Sequence, residues 1–281
     1  MRWRKGRRSS NVEDRRGQTV RRGASVGGGA VILALIAVFF FGQDPALVLE
    51  QMGNVNQAQP QSQGRQPSAE EDQLAEFTKV VLADTEDVWT AMFRNAGSQY
   101  RQPVLVLYNG ITDTAGCGRG QAAAGPFYCP ADNKIYIDLS FVRELTRLGA
   151  SGDFAFAYVI AHEVGHHIQN ITGTARQVRE AQSRTSKQGA NALQVKMELQ
   201  ADCYAGVWAH HADRQRQILE RGDVDEGLAA AASVGDDRLQ AAAGRRVQPE
   251  TWTHGSSKQR AQWFRQGFQT GAVDACDTFG Q

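Results

Sequence analysis

The chain holds six histidines, and two of them stand four residues apart around a glutamate: His162-Glu163-Val164-Gly165-His166. On an α-helix, residues four apart share a face, so both imidazoles can turn a ring nitrogen toward one divalent cation. A carboxylate directly after the first histidine then sits beside that cation, where it can take a proton from a bound water. The lead-in from Phe156 to Ala161 is apolar. Such a lead-in marks a helix buried on most sides, where ionisable groups are rarely found without a partner. A structural helix with satisfied histidines is the competing reading.

A catalytic zinc keeps three protein ligands and leaves one position for water. The third ligand has to come from a second helix, and the run Lys196-Met-Glu198-Leu-Gln-Ala-Asp202 offers one. Glu198 and Asp202 are four apart and face the same way. Glu198 is the expected ligand. Asp202 is expected to accept a hydrogen bond from the second nitrogen of a ligating histidine and so fix its tautomer. A solvated acidic pair on an exposed helix remains the alternative.

The elements that must position these groups are mostly helical. From Gly152 onward the pattern predicts helices over 153–170, 174–187, 190–213, 215–243 (broken near Gly222 or Gly235) and 256–271. Upstream, Ser68-x-x-Glu71 reads as a capping box, followed by Leu74, Phe77, Val80, Val81, Val88, Trp89, Met92 and Phe93 at helical spacing. Residues 103–108 (PVLVLY) and 134–139 (KIYIDL) read as strands. The fold class is therefore α+β, mostly helical with a small antiparallel sheet.

Topology rests on the N-terminal region. Residues 1–22 carry nine Arg or Lys against Glu13 and Asp14, which leaves the remainder net acidic by about six charges. No basic stripe marks that remainder, so a nucleic-acid partner is not expected. Residues 23–43 contain no charge, and roughly 20 apolar residues cross a bilayer. The arginine-rich flank then predicts a single-pass anchor in the cytoplasmic membrane, with residues 1–22 a cytoplasmic tail. The sequence GQDPALVLE after Phe41 lacks a small-x-small cleavage site, which favours an uncleaved anchor over a signal peptide. Residues 44–69 read as a flexible linker and 70–281 as an exported, periplasmic or extracellular domain. Four cysteines fit that placement, because an even count in an exported domain favours disulfides. Cys117–Cys129, across a short loop, is the first expected pair and Cys203–Cys276 the second. Metal-bound cysteines are disfavoured without a C-x-x-C spacing, while buried free thiols stay open.

H-E-x-x-H followed by E-x-x-A-D resembles the gluzincin metallopeptidases, notably the membrane heat-shock and prenyl-protein protease group. The stretches GPFYCPADNKIYIDLSF, AHEVGHHIQ, ELQADCYAGVWAHH, GDDRLQ, THGSSKQR and WFRQGF–ACDTF are similar to a bacterial family of neutral zinc metallopeptidases, across about Leu74 to Phe279. The resemblance implies a zincin-like fold with Zn²⁺ held by His162, His166 and Glu198, and with Glu163 as the base. Thr253-His254-Gly255 with Arg260 resembles a Thr-His-Pro…Arg element of the prenyl-protease group, which makes His254 the candidate for stabilising an oxyanion. Gly255 departs from that pattern, and Tyr204, His210 and His211 are rivals. His167 points about 100° away from His166 on a helix and is expected near the site or at the surface. Lys134–Asp138, preceding the zinc helix as the edge strand does in zincins, is expected to receive an extended peptide by strand addition.

These readings converge on a zinc-dependent endopeptidase acting on peptides or proteins at the outer face of the cytoplasmic membrane. Two other classes stay open. One is a membrane-tethered zinc-binding scaffold without significant proteolysis. The other is a tethered binding protein in which the histidine motif is accidental.

Overall fold

In the computed structural model, which describes residues 1–17, 66–121 and 125–280, the first long helix, α1 (Ala69–Asn95), opens on the anticipated capping box. The Ser68 hydroxyl accepts the Glu71 backbone N–H at 3.2 Å, and the Glu71 carboxylate accepts the Ser68 N–H at 2.7 Å. The apolar stripe of α1 buries Phe77, Val81, Leu82, Val88 and Trp89 in the main core.

Six short strands are described: β1 (Val12–Asp14), β2 (Val104–Tyr108), β3 (Ile111–Asp113), β4 (Arg119–Gln121), β5 (Phe127–Cys129) and β6 (Lys134–Asp138). The main sheet has the order β1-β2-β6-β5, and β3 and β4 form a separate antiparallel ribbon. The expected antiparallel sheet is in fact mixed: β1 runs parallel to β2 and β2 parallel to β6, and only β5 is antiparallel to β6. The segment 109–133 between β2 and β6 is long enough for the crossover that a parallel pair requires. β2 and β6 are buried along most of their length, as strands covered on both faces are. This order also corrects the expected docking edge. Lys134–Asp138 is paired on both sides, and the outer strand beside the histidine helix is β5.

Helices α2 (Phe141–Arg147), α3 (Asp153–Ile171), α4 (Thr174–Gln182), α5 (Lys187–Arg216), α6 (Asp223–Ser233), α7 (Asp236–Ala242) and α8 (Ser257–Thr270) follow. The region expected as one broken helix is split at both glycines, with Gly222 in the left-handed region at φ 101° ahead of α6 and Gly235 ahead of α7. Two close helix crossings set up the site. A methyl at Gly165 of α3 would stand 3.0 Å from the Ala201 backbone of α5. Backbone therefore meets backbone between the two histidines and Glu198. At Gly267 of α8 an added methyl would lie 2.0 Å from the Cys203 carbonyl, so α8 seats directly on α5. The disulfides are Cys117–Cys129 and Cys203–Cys276, and the second ties the C-terminal segment to α5.

The anticipated single-pass topology is overturned. Residues 1–16 belong to the same compact unit as residues 67–281, with β1 in the main sheet. A cytoplasmic N-terminus and an exported domain cannot share one sheet. Several of the described arginines in the stretch read as a membrane-flanking tail are instead matched by acidic residues of the fold. Arg7 lies 2.8 Å from both Glu86 and Asp87, and Arg16 reaches Asp14 at 2.6 Å and Asp72 at 3.0 Å. No helix among the described residues is long and apolar enough to cross a membrane. The stretch 23–43, read as the anchor contacting the cytoplasmic membrane, and nearly all of 44–69, read as a linker, lie outside the described residues.

Candidate metal centre

His162 and His166 project from α3 into a cavity of about 860 Å³. Across from them, Glu198 on α5 places one carboxylate oxygen 3.2 Å from His162 Nε2 and the other 3.5 Å from His166 Nε2. Four-coordinate zinc with N and O ligands at about 2.0–2.1 Å separates neighbouring ligand atoms by about 3.3 Å. Each oxygen stands near that spacing from its imidazole, and one ligand atom from each of the three residues can be taken so that all lie within 4.8 Å of one another.

The donor chemistry agrees. The Nδ1 atom of His162 lies 2.8 Å from Asp202 Oδ1, and the Nδ1 atom of His166 lies 2.9 Å from Gln169 Oε1. Each Nδ1 therefore donates, which leaves the Nε2 lone pairs facing the Glu198 carboxylate. Two imidazole lone pairs facing one carboxylate, acceptor against acceptor, call for a cation between them. Burial pushes the Glu198 carboxyl up, but the two imidazoles reverse that and hold it well below the usual carboxylate range. Burial likewise lowers the imidazoles, yet Asp202 beside His162 and Glu198 beside His166 raise them. A positive charge is favoured at this point, and a divalent ion supplies it without protons.

Glu163 also lines the cavity and is almost wholly buried, which raises its carboxyl above the ordinary range. A carboxylate made more basic in this way is suited to taking a proton. His254 lies on the same cavity wall, with Nδ1 3.2 Å from Asp236 Oδ1. Asp236 fixes the turn that carries it, because its other oxygen accepts the backbone N–H groups of Thr253, His254 and Gly255 at 2.6–2.9 Å.

Behind His162 lies a buried polar cluster. Asp202 accepts the Arg260 Nε at 2.8 Å and Nη2 at 2.9 Å, together with the Tyr158 hydroxyl. The sequence singles out Arg260 only beside His254, and it singles out neither Tyr158 nor Gln169. The signal was present but unspecific: Tyr158, His162, His166 and Gln169 fall on one helical stripe of α3. The rivals to His254 are elsewhere. His210 and His211 contact the carbonyls of Phe268 and Gly271 at 2.7 and 2.8 Å, and Tyr204 packs on Trp89. His167 is buried away from the metal face, with Nε2 2.6 Å from the Arg101 carbonyl and Nδ1 3.1 Å from the Tyr128 hydroxyl.

A family model described as "Putative neutral zinc metallopeptidase" matches residues 1–279. The chain is 47% identical over 296 residues to the uncharacterized protein YpfJ of Escherichia coli K12, covering all of this chain and 99% of that protein. It is 46% identical over 191 residues to the uncharacterized protein Rv2575 of Mycobacterium tuberculosis H37Rv, covering 64% of this chain and 63% of that protein. No solved structure matches.

Proposed function

Because this chain belongs to the neutral zinc metallopeptidase family, we propose that it is a zinc-dependent endopeptidase whose metal is held by His162, His166 and Glu198. The observation that carries this reading is the convergence of both imidazole Nε2 atoms on the one Glu198 carboxylate, whose two oxygens lie 3.2 and 3.5 Å from them, close to the spacing between ligands of one tetrahedral ion. When bound, zinc polarises the scissile carbonyl and makes water acidic enough to yield its proton near neutral pH. Glu163 takes that proton and later gives it to the departing amine. His254, held by Asp236, donates to the oxygen that becomes negative as the carbon turns tetrahedral. Asp202, clamped by Arg260, keeps His162 Nδ1 protonated and its ring oriented.

A peptide or protein substrate suits the cavity wall. Gly125, Pro126, Phe127 and Tyr128 line it, and β5 is the outer strand there. An extended peptide can add to that outer edge through main-chain hydrogen bonds, with its scissile bond presented toward the histidines.

The test compares wild type with Glu163→Gln on a mixture of unfolded protein substrates. The reading expects one zinc per chain in both proteins, with cleavage reduced about 10²–10⁴-fold in the variant. Unchanged cleavage would dismiss Glu163 as the base. Full zinc with no cleavage by the wild type would favour the scaffold reading.

A further inference from the structure

The two histidines are backed by different groups. His162 leans on a carboxylate, whereas the group behind His166 is the neutral side-chain amide of Gln169, itself fully buried. An amide can present either its oxygen or its NH₂ to a neighbour. Here the orientation is dictated by the other end of the group. Gln169 Nε2 lies 2.7 Å from the backbone carbonyl of Met197, and a carbonyl can only accept. The NH₂ must therefore face Met197, and the oxygen must face His166. His166 Nδ1 is thereby obliged to carry its proton, and Nε2 is left with a lone pair on the cavity side.

A second amide repeats the arrangement one layer further back. Gln200, also buried, sets its Oε1 3.1 Å from Gln169 Nε2 and donates its own NH₂ to the Cys276 carbonyl at 3.1 Å. Cys276 is covalently tied to Cys203 on α5, and the Thr278 hydroxyl donates to the Lys196 carbonyl at 2.8 Å. The C-terminal segment is thus pinned to the helix that carries Glu198. Two fixed carbonyls, of Met197 and Cys276, give the chain of amides a single direction.

We infer that Gln169, oriented by Gln200 and the Cys276 carbonyl, is the positioning residue that sets the tautomer and ring angle of His166 for metal binding. The inference rests on the metal-centre reading above and adds to it a named relay running from the disulfide-tied C-terminus to one ligand. A neutral acceptor also has a chemical consequence. With Asp202 behind one imidazole, Gln169 behind the other and Glu198 as third ligand, the site keeps fewer negative charges than two carboxylate-backed histidines would give it. The ion so held is a stronger electron-pair acceptor.

The test measures zinc affinity by chelator competition on the full chain, with the visible spectrum of the Co²⁺-loaded protein as a second readout. Gln169→Met keeps the volume but removes the acceptor, and is expected to weaken zinc about 10–100-fold and to alter the cobalt spectrum. Gln169→Glu disturbs the same packing yet keeps an acceptor at His166 Nδ1, and is expected to bind zinc at least as tightly as wild type. Gln200→Met touches no ligand and should fall between wild type and Gln169→Met. It also serves as the deciding variant if Gln169→Met does not fold. Wild-type affinity and spectrum in Gln169→Met would overturn the inference. So would equal losses in the Met and Glu variants, or an unaffected Gln200→Met where that variant decides. A wild-type chain that binds no zinc is a different failure, that of the metal-centre reading itself.

Discussion

Replacing Asp202 by asparagine should cost this protein more stability than its single changed atom suggests. Asp202 is fully buried, and every group around it approaches as a donor: Arg260 Nε at 2.8 Å, Arg260 Nη2 at 2.9 Å, His162 Nδ1 at 2.8 Å and the Tyr158 hydroxyl. An asparagine offers one oxygen to these donors and turns an NH₂ toward the rest, whichever way it is rotated. It also removes the negative charge, leaving a guanidinium that is 3% exposed without its counter-ion. Removing one partner of a buried ion pair costs about 3–5 kcal/mol. At about 2–4 °C per kcal/mol for a domain of this size, the unfolding midpoint should fall by roughly 6–20 °C. The assay is thermal unfolding followed by circular dichroism, on wild type, Asp202→Asn, Arg260→Met and the double variant. Because the double variant carries no buried cation, its loss should be smaller than the sum of the two single losses. A single Asp202→Asn variant within about 1 kcal/mol of wild type would refute the argument, as would simple additivity in the double variant.

Further predictions concern the packing, the cross-link and acid sensitivity. Gly267→Ala forces a methyl against the Cys203 carbonyl and should destabilise by about 1–3 kcal/mol in urea unfolding, by prising α8 and Arg260 from α5. Replacing Cys203 and Cys276 together by alanine opens a loop of 73 residues, for which chain entropy gives a loss of about 4 kcal/mol in the same assay. For His167, burial lowers the imidazole from 6.5 to about 4, because the folded site has no room for its charge. The unfolded chain therefore binds the proton first, so stability present above pH 6.5 should decline as pH falls toward 4 and change no further below it. That decline is worth up to about 3 kcal/mol, and urea midpoints measured across the window should be flatter in His167→Gln than in wild type.

Much of the site could be read from spacing because α-helical geometry turns sequence separation into a shared face. His162 and His166 share a face of α3 for that reason, and the same four-residue step lets Glu198 and Asp202 on α5 both face His162. Helices α3, α5, α6 and α8 were legible because their apolar faces pack on a continuous core. What spacing could not convey was which distant elements meet. Arg260 reaches Asp202 only because two glycine-mediated crossings bring α3, α5 and α8 together. Sheet order was illegible for a similar reason, since strand length says nothing about which neighbour a strand takes. The Lys134–Asp138 strand therefore looked like an edge but is interior. The N-terminal arginines misled most. Charge patterning treats a basic cluster as facing a membrane, whereas here Glu76, Glu86, Asp87 and Asp72 of α1 receive those cations, and Val12–Asp14 joins the sheet.

X-ray absorption at the zinc edge, on the purified full chain, reads the ligand shell of the metal itself. One zinc per chain is expected, with two imidazole nitrogens and a carboxylate oxygen at about 2.0–2.1 Å, plus one oxygen from solvent. A chain that holds no zinc, or a zinc whose shell is closed by a fourth protein group or by sulfur, would contradict the metal-centre reading.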